Sequence, residues 1–319
     1  MNKEVGAKGQ RAGAWRRIFA FAADALVLVL LGNLVGLLAG QWLSLLGYWA
    51  LLVGFVLCAL YFGVFDSALT QGQTPGKKLL KIAVVNNRGG ALNPAQAFLR
   101  FSVLGVPYFI AGLKANQAHL QHLGYLVLLF IILAPLLCAF YLFVFNRATG
   151  QSLQDLIVPS RVVLAHQQDG QCSANTAMWK GHWVVVGLIV IAAAFGPYFL
   201  IQSQLSRVQN QIMANGVLLE NPLVRYSEIQ YTTRELKLPN QPQRMASLVN
   251  VDIELVQDQI EHRMLAQNLA LSVFQHYPKA ANASLIQVNL RYGFNMQLAS
   301  GWREMSYQFE PAALQGLSR

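Results

Sequence analysis

The chain repeats itself. Residues 58–66 read Cys-Ala-Leu-Tyr-Phe-Gly-Val-Phe-Asp and residues 138–146 read Cys-Ala-Phe-Tyr-Leu-Phe-Val-Phe-Asn, five identities in nine at an offset of 80. Each block closes an apolar run. Two residues then drop out and the match resumes: Gly72-Gln73-Thr74 against Gly150-Gln151-Ser152, then Val84-Val85 against Val162-Val163. A hydrophobic segment and the polar loop after it, present twice, constrain the fold to a membrane domain built from two related halves.

Composition agrees. The chain is 55% hydrophobic and 12% charged, about half the charge of an ordinary soluble domain, which marks an integral membrane protein. The net charge of +10 is unevenly placed: residues 1–201 hold 14 Lys/Arg and 5 Asp/Glu, residues 202–319 hold 10 and 9. The basic excess lies in the membrane half, where cytoplasmic loops account for it, so no nucleic-acid partner is expected. Cys58, Cys138 and Cys172 give no disulfide framework, and the polar C-terminal third has no cysteine.

Apolar runs predict spans at 18–40, 48–65, 98–113, 123–145 and 183–201. The third is short and contains Pro107. Lys3, Lys8, Arg11, Arg16 and Arg17 precede the first span; Lys77, Lys78, Lys81 and Arg88 follow the second; Arg147, Arg161 and Lys180 follow the fourth. The other two connections hold only Lys114, so the asymmetry predicts a cytoplasmic N-terminus and cytoplasmic long loops. Five crossings then place the C-terminus outside an inner membrane. The expected divisions are a cytoplasmic segment 1–17, a membrane domain 18–165, a linker with the fifth span 166–201, and an extracytoplasmic domain 202–319. The first apolar run is too long for a cleaved leader and reads as a retained anchor.

Val256, Ile260, Met264, Leu271 and Phe274 have helical spacing and predict one long helix over 252–276 ended by Pro278. Alternation at Leu285-Ile286-Val288-Leu290 and around Met305-Tyr307-Phe309 predicts strands, with Gly293 and Gly301 as turns. The expected class is mainly α: a polytopic helical bundle of two parallel two-helix repeats and a fifth span, with a small α+β domain. Trp302, Tyr292, Phe294, Tyr307 and Phe309 read as core. Asn282-Ala283-Ser284 fits a glycosylation acceptor but reads as a polar loop.

Asp24 is the one acid deep in a span, two helical turns beyond Arg17 and on its face. A carboxylate at that depth needs a partner or a proton. It predicts either a cation or proton site, or a structural tie with Arg17 or with Arg100 at the start of the third span. Gly32, Gly36 and Gly40 form a small-residue face suited to close helix packing. The loop Gly72-Gln-Thr-Pro-Gly76-Lys77-Lys78 fails the phosphate-loop spacing and reads as a turn whose lysines meet anionic head groups. Asp155 stands where the first copy has Lys77, which predicts that the two loops pair. His119 and His122 have ligand spacing but no further ligands, so no metal site is assigned. No nucleophile elbow, zinc motif or cysteine cluster appears, so neither catalysis nor a cofactor is expected.

These residues carry a resemblance. Arg17 with Asp24, the run Gly72-Gln73-Thr74-Pro75-Gly76-Lys77, and Asp155 within Gln151-Ser152-Leu153-Gln154-Asp155-Leu156 resemble the RDD family of membrane proteins, named for one arginine and two aspartates. The resemblance covers residues 11–165. It implies transport or ion exchange, or a scaffold within a membrane complex; the scaffold reading adds an envelope protein or a second copy as partner.

Overall fold

A computed structural model describes residues 11–113, 123–165, 178–236 and 244–317, with the side chains of 203–209, 234–236 and 244–246 left out. Lys3, Lys8, Lys114, His119, His122 and Cys172 lie outside the described residues. The architecture is mostly helical with a C-terminal β-sheet domain. Three stretches are long and apolar enough to cross a membrane: Ala14–Phe65, Leu123–Phe145 and Gly181–Gln202.

The first stretch is two helices, α1 (Ala14–Leu46) and α2 (Ala50–Phe65), joined through a short turn at Gly47–Trp49. Gly47 has φ 58°, and a side chain there would collide with the Arg225 guanidinium. That guanidinium donates to the carbonyls of Ser44 at 3.5 Å and Leu45 at 3.2 Å, pinning the C-terminal end of α1 to the C-terminal domain. The short helix α3 (Pro75–Leu79) and strand β1 (Ile82–Asn86) follow. Next, α4 (Pro94–Ala111) starts from Asn93, whose Oδ1 accepts the Gln96 amide at 2.7 Å, with Pro94 in the first turn. It occupies the predicted span 98–113 but is not among the three apolar stretches. Helix α5 (Leu123–Phe145) is followed by α6 (Leu153–Ile157) and β2 (Ser160–Leu164).

The two loops are built alike. Gly72 and Gly150 have φ 67° and 64°. Gln73 Nε2 donates to the Ile82 carbonyl at 3.0 Å, and Gln151 Nε2 to the Ser160 carbonyl at 2.9 Å. Thr74 and Ser152 then begin α3 and α6, each of five residues. Strands β1 and β2 pair antiparallel with Val84 opposite Val162. Those two valines are also matched when the two loop sequences are aligned, so aligned residues face one another at the centre of the ribbon. The ribbon is buried: Ile82, Ala83 and Val84 are fully enclosed.

Helix α7 (Gly181–Leu219) runs from the third apolar stretch into the C-terminal domain, where Ala214 and Leu218 enter its core. The sheet has the order β3-β4-β5-β6, with β3 Val224–Leu236, β4 Arg244–Leu255, β5 Leu285–Asn295 and β6 Ser300–Phe309. β4 and β5 are parallel and joined through α8 (Arg263–His276); the other pairs are antiparallel. A short α9 (Pro311–Leu317) follows β6.

The long helix expected over 252–276 is instead the end of β4, a connection, and α8. Val249, Val251, Ile253 and Leu255 are buried in alternation, the period of a strand. Strands were expected near 285–290 and 305–309; β5 and β6 are longer, and Gly293 pairs with Trp302 inside them rather than turning the chain. The turn lies at Met296–Ala299. Tyr292, Tyr307 and Phe309 belong to the domain core, while Phe294 packs with Leu43 and Ala50 of the membrane helices.

Candidate functional site

Six charged side chains gather where α1, α2 and α4 meet the paired loops. Asp24, Asp66 and Asp155 are 1%, 2% and 0% exposed, Arg100 is 8%, and the side chains of Arg17 and Lys77 are each 12%. Three are positive and three negative. At such burial each charge costs several kcal/mol, of order, unless it is paired and hydrogen-bonded.

Arg100 is the hub. Its Nε and Nη2 donate to Asp155 Oδ1 at 3.0 and 2.8 Å, and its Nη1 to Asp66 Oδ2 at 2.9 Å. Arg17 Nη2 donates to Asp155 Oδ2 at 3.0 Å, and Nη1 to the Gly150 carbonyl at 2.5 Å. Lys77 Nζ donates to Asp66 Oδ1. Asp155 also accepts the Ser152 amide at 3.2 Å and the Ser160 hydroxyl at 3.3 Å. Burial alone would raise the Asp155 carboxyl, but Arg100 and Arg17 outweigh it and hold the group below the ordinary carboxylate range. For Lys77 burial prevails over the Asp66 charge, so its ammonium titrates below the usual lysine range.

Asp24 is satisfied differently. Its Oδ1 accepts from the Tyr61 hydroxyl and the Gly76 amide, both at 2.7 Å, and its Oδ2 from the Thr74 hydroxyl at 2.5 Å. The first turn of α3 therefore receives the carboxylate of α1, a short-range form of anion binding by backbone amides. In the second loop the corresponding carboxylate, Asp155, belongs to α6 itself. The phosphate-loop look of residues 72–78 has this origin: the turn is shaped for an anion, and the anion is an aspartate of the same chain.

Two expected contacts are replaced by others. Asp24 meets neither Arg17 nor Arg100; both guanidiniums go to Asp155, because the loop carrying Asp155 folds back over the start of α1 and α4. Lys77 and Asp155 do not pair directly; Asp66 and Arg100 stand between them. The Gly32, Gly36 and Gly40 face receives a strand turn rather than a helix: a methyl at Gly32 would lie 2.7 Å from Leu298 Cβ, and one at Gly36 3.2 Å from the Phe294 ring. Gly72 and Gln73 shape the first loop, Thr74 and Gly76 hold Asp24, and Lys77 holds Asp66. Among the described residues no group of three His, Cys, Asp or Glu side chains could hold a metal.

Asp66 and Tyr61 are the site residues that spacing did not single out. A signal existed: Asp66 ends the first repeat block where Asn146 ends the second. Asn146 is 1% exposed and ties its own loop, donating to Thr149 Oγ1 at 2.5 Å and the Gln151 carbonyl at 2.9 Å.

Residues 11–159 match the family model described as RDD family, and all six charges fall within the match. This segment is an RDD-family membrane domain. Arg17, Asp24 and Asp155 are thus placed in one cluster with Asp66, Lys77 and Arg100. No curated protein and no solved structure matches the chain. The match ends before α7, and the sheet domain that α7 carries lies outside it.

Proposed function

We propose that the RDD domain is a charge-locked, non-enzymatic scaffold that anchors the α+β domain on the outer face of an inner membrane, where that domain binds an envelope partner. One observation carries this reading: the six buried charges satisfy one another or accept from neutral donors, three against three. A transport pathway needs a group whose partner is exchanged for a substrate ion; a lock needs closure. In the arrangement proposed, α1, α2, α4, α5 and the first half of α7 make five crossings. At about 27 Å, α4 is close to the hydrocarbon thickness. Exposed Trp15, Trp179 and Trp183 near one end, with Trp42 and Trp49 at the other, support this placement as interfacial anchors. Exposed Arg16, Lys78, Lys81 and Arg88 would meet anionic head groups. Active periplasmic-type reporter fused after residue 319 is the expected topology result; activity of a cytoplasmic reporter there removes one crossing.

A second reading, proton or cation exchange, draws on Asp24, whose partners are hydroxyls and an amide rather than a fixed cation. Proton and sodium flux in sealed vesicles separates the two. The scaffold reading expects wild type and Asp24→Asn to match empty vesicles. Flux by wild type that Asp24→Asn abolishes at equal protein abundance would overturn it in favour of exchange.

A further inference from the structure

The tip of the β5–β6 hairpin leaves the core of its own domain. Phe294 and Met296 are buried with Leu43 and Ala50. Leu298 packs against the cluster of Leu28, Leu51, Cys58, Tyr61 and Phe109. The helices are hollowed to receive it: beside Gly32, Gly54 lies so close that a methyl there would overlap the Met296 carbonyl. Gly32 follows Asp24 by eight residues, about 12 Å along α1, so the turn reaches deep between the helices. Irregular backbone at such depth is tolerated in a bilayer only where protein or a water-lined cavity surrounds it.

From this tip, contacts continue to the opposite side of the bundle. The cluster under Leu298 includes Tyr61; the Tyr61 hydroxyl donates to Asp24 at 2.7 Å; Asp24 holds the Thr74 hydroxyl and the Gly76 amide at the start of α3. Against that chain, the tip is itself lightly tied: among the described residues one hydrogen bond, Gln297 Nε2 to the Tyr108 carbonyl at 3.2 Å, joins it to the helices. The rest of its seat is apolar packing.

We infer that the hairpin is a withdrawable plug coupling the outer domain to the α3 loop: seated, it holds Tyr61 on Asp24 and the Thr74–Gly76 turn docked; withdrawn, it frees that turn. The coupling runs both ways, since a bias at either end shifts the same equilibrium. It does not depend on whether the domain transports.

The test uses full-length protein in lipid nanodiscs with Cys138→Ala and Cys172→Ala, leaving Cys58 as the one thiol behind Leu298. Hydrogen exchange over residues 72–80 and maleimide labelling of Cys58 are read for three changes: removal of Met296 to Leu298, Gly32→Leu, and Tyr61→Phe. Shortening the hairpin empties the seat by construction; Gly32→Leu obstructs it through collision with Leu298 and leaves the sequences of hairpin and loop unchanged. Both should expose Cys58 and speed exchange over 72–80 at least tenfold, while α8 keeps its protection. Tyr61→Phe should speed exchange over 72–80 and leave Cys58 shielded. Unchanged exchange over 72–80 in the shortened hairpin, or in Tyr61→Phe, would overturn the coupling.

Discussion

Replacing Asp155 by Asn tests the lock at its most enclosed point. The carboxylate is 0% exposed and accepts three guanidinium hydrogen bonds, two from Arg100 and one from Arg17, besides the Ser152 amide and Ser160 hydroxyl. An asparagine amide fills the same space but carries no charge, and its NH2 faces donors. Arg100 keeps Asp66 and Arg17 keeps the Gly150 carbonyl, so the loss is one buried partner rather than the whole network. Removing one partner of a buried pair costs about 3–5 kcal/mol, a factor of roughly 100 to several thousand in the folded-to-unfolded ratio. The measurement is unfolding in mixed micelles followed by tryptophan fluorescence, for Asp155→Asn, Arg100→Gln and both together. If the pair is coupled as the geometry has it, the double variant is less destabilised than the sum of the singles by about 1–3 kcal/mol. Additivity within about 0.5 kcal/mol would refute the reasoning.

Asp24→Asn should cost less, about 1–3 kcal/mol, because it breaks bonds to neutral donors and leaves no cation bereft; a loss as large as that of Asp155→Asn, in the same unfolding assay, would mean that a cation does depend on it. Gly54→Ala should destabilise by about 1–3 kcal/mol through overlap with the Met296 carbonyl, and thermal melts should show it, whereas Gly187→Ala, with nothing near its Cβ, should be neutral within about 0.5 kcal/mol. Asp155 also sets an acid limit. Its folded pKa lies below the unfolded value, so its stabilisation is complete above about pH 4 and is lost as pH falls through the folded pKa; a pH series of unfolding midpoints should show this acid limb in wild type and its absence in Asp155→Asn.

How much of this was legible from residues alone depended on how local each signal was. The apolar run 123–145 coincides with α5, because an uninterrupted hydrophobic stretch needs no context. The stretch 252–276 misled, since Val256 and Ile260 extend the helical spacing of α8 backwards across a connection, while the period-two run Val249, Val251, Ile253, Leu255 declares a strand. Gly32, Gly36 and Gly40 announced a close approach, but a groove of glycines does not encode whether a helix or a hairpin fills it. For Asp24, spacing along one helix offered Arg17. Its actual side-chain donors, Tyr61 and Thr74, lie 37 and 50 residues away and come from elements whose packing no periodicity reports.

Because Val84 faces Val162 at the middle of the ribbon, a polypeptide with a single helix-loop-strand unit could complete the ribbon with a second copy of itself, each subunit giving the other its missing edge. Such a homodimer would carry twin ammoniums or twin carboxylates at the place held here by Lys77 and Asp155. Joining both units in one chain removes that constraint: one side can differ from the other by a reversal of sign, and a single arginine can then serve both.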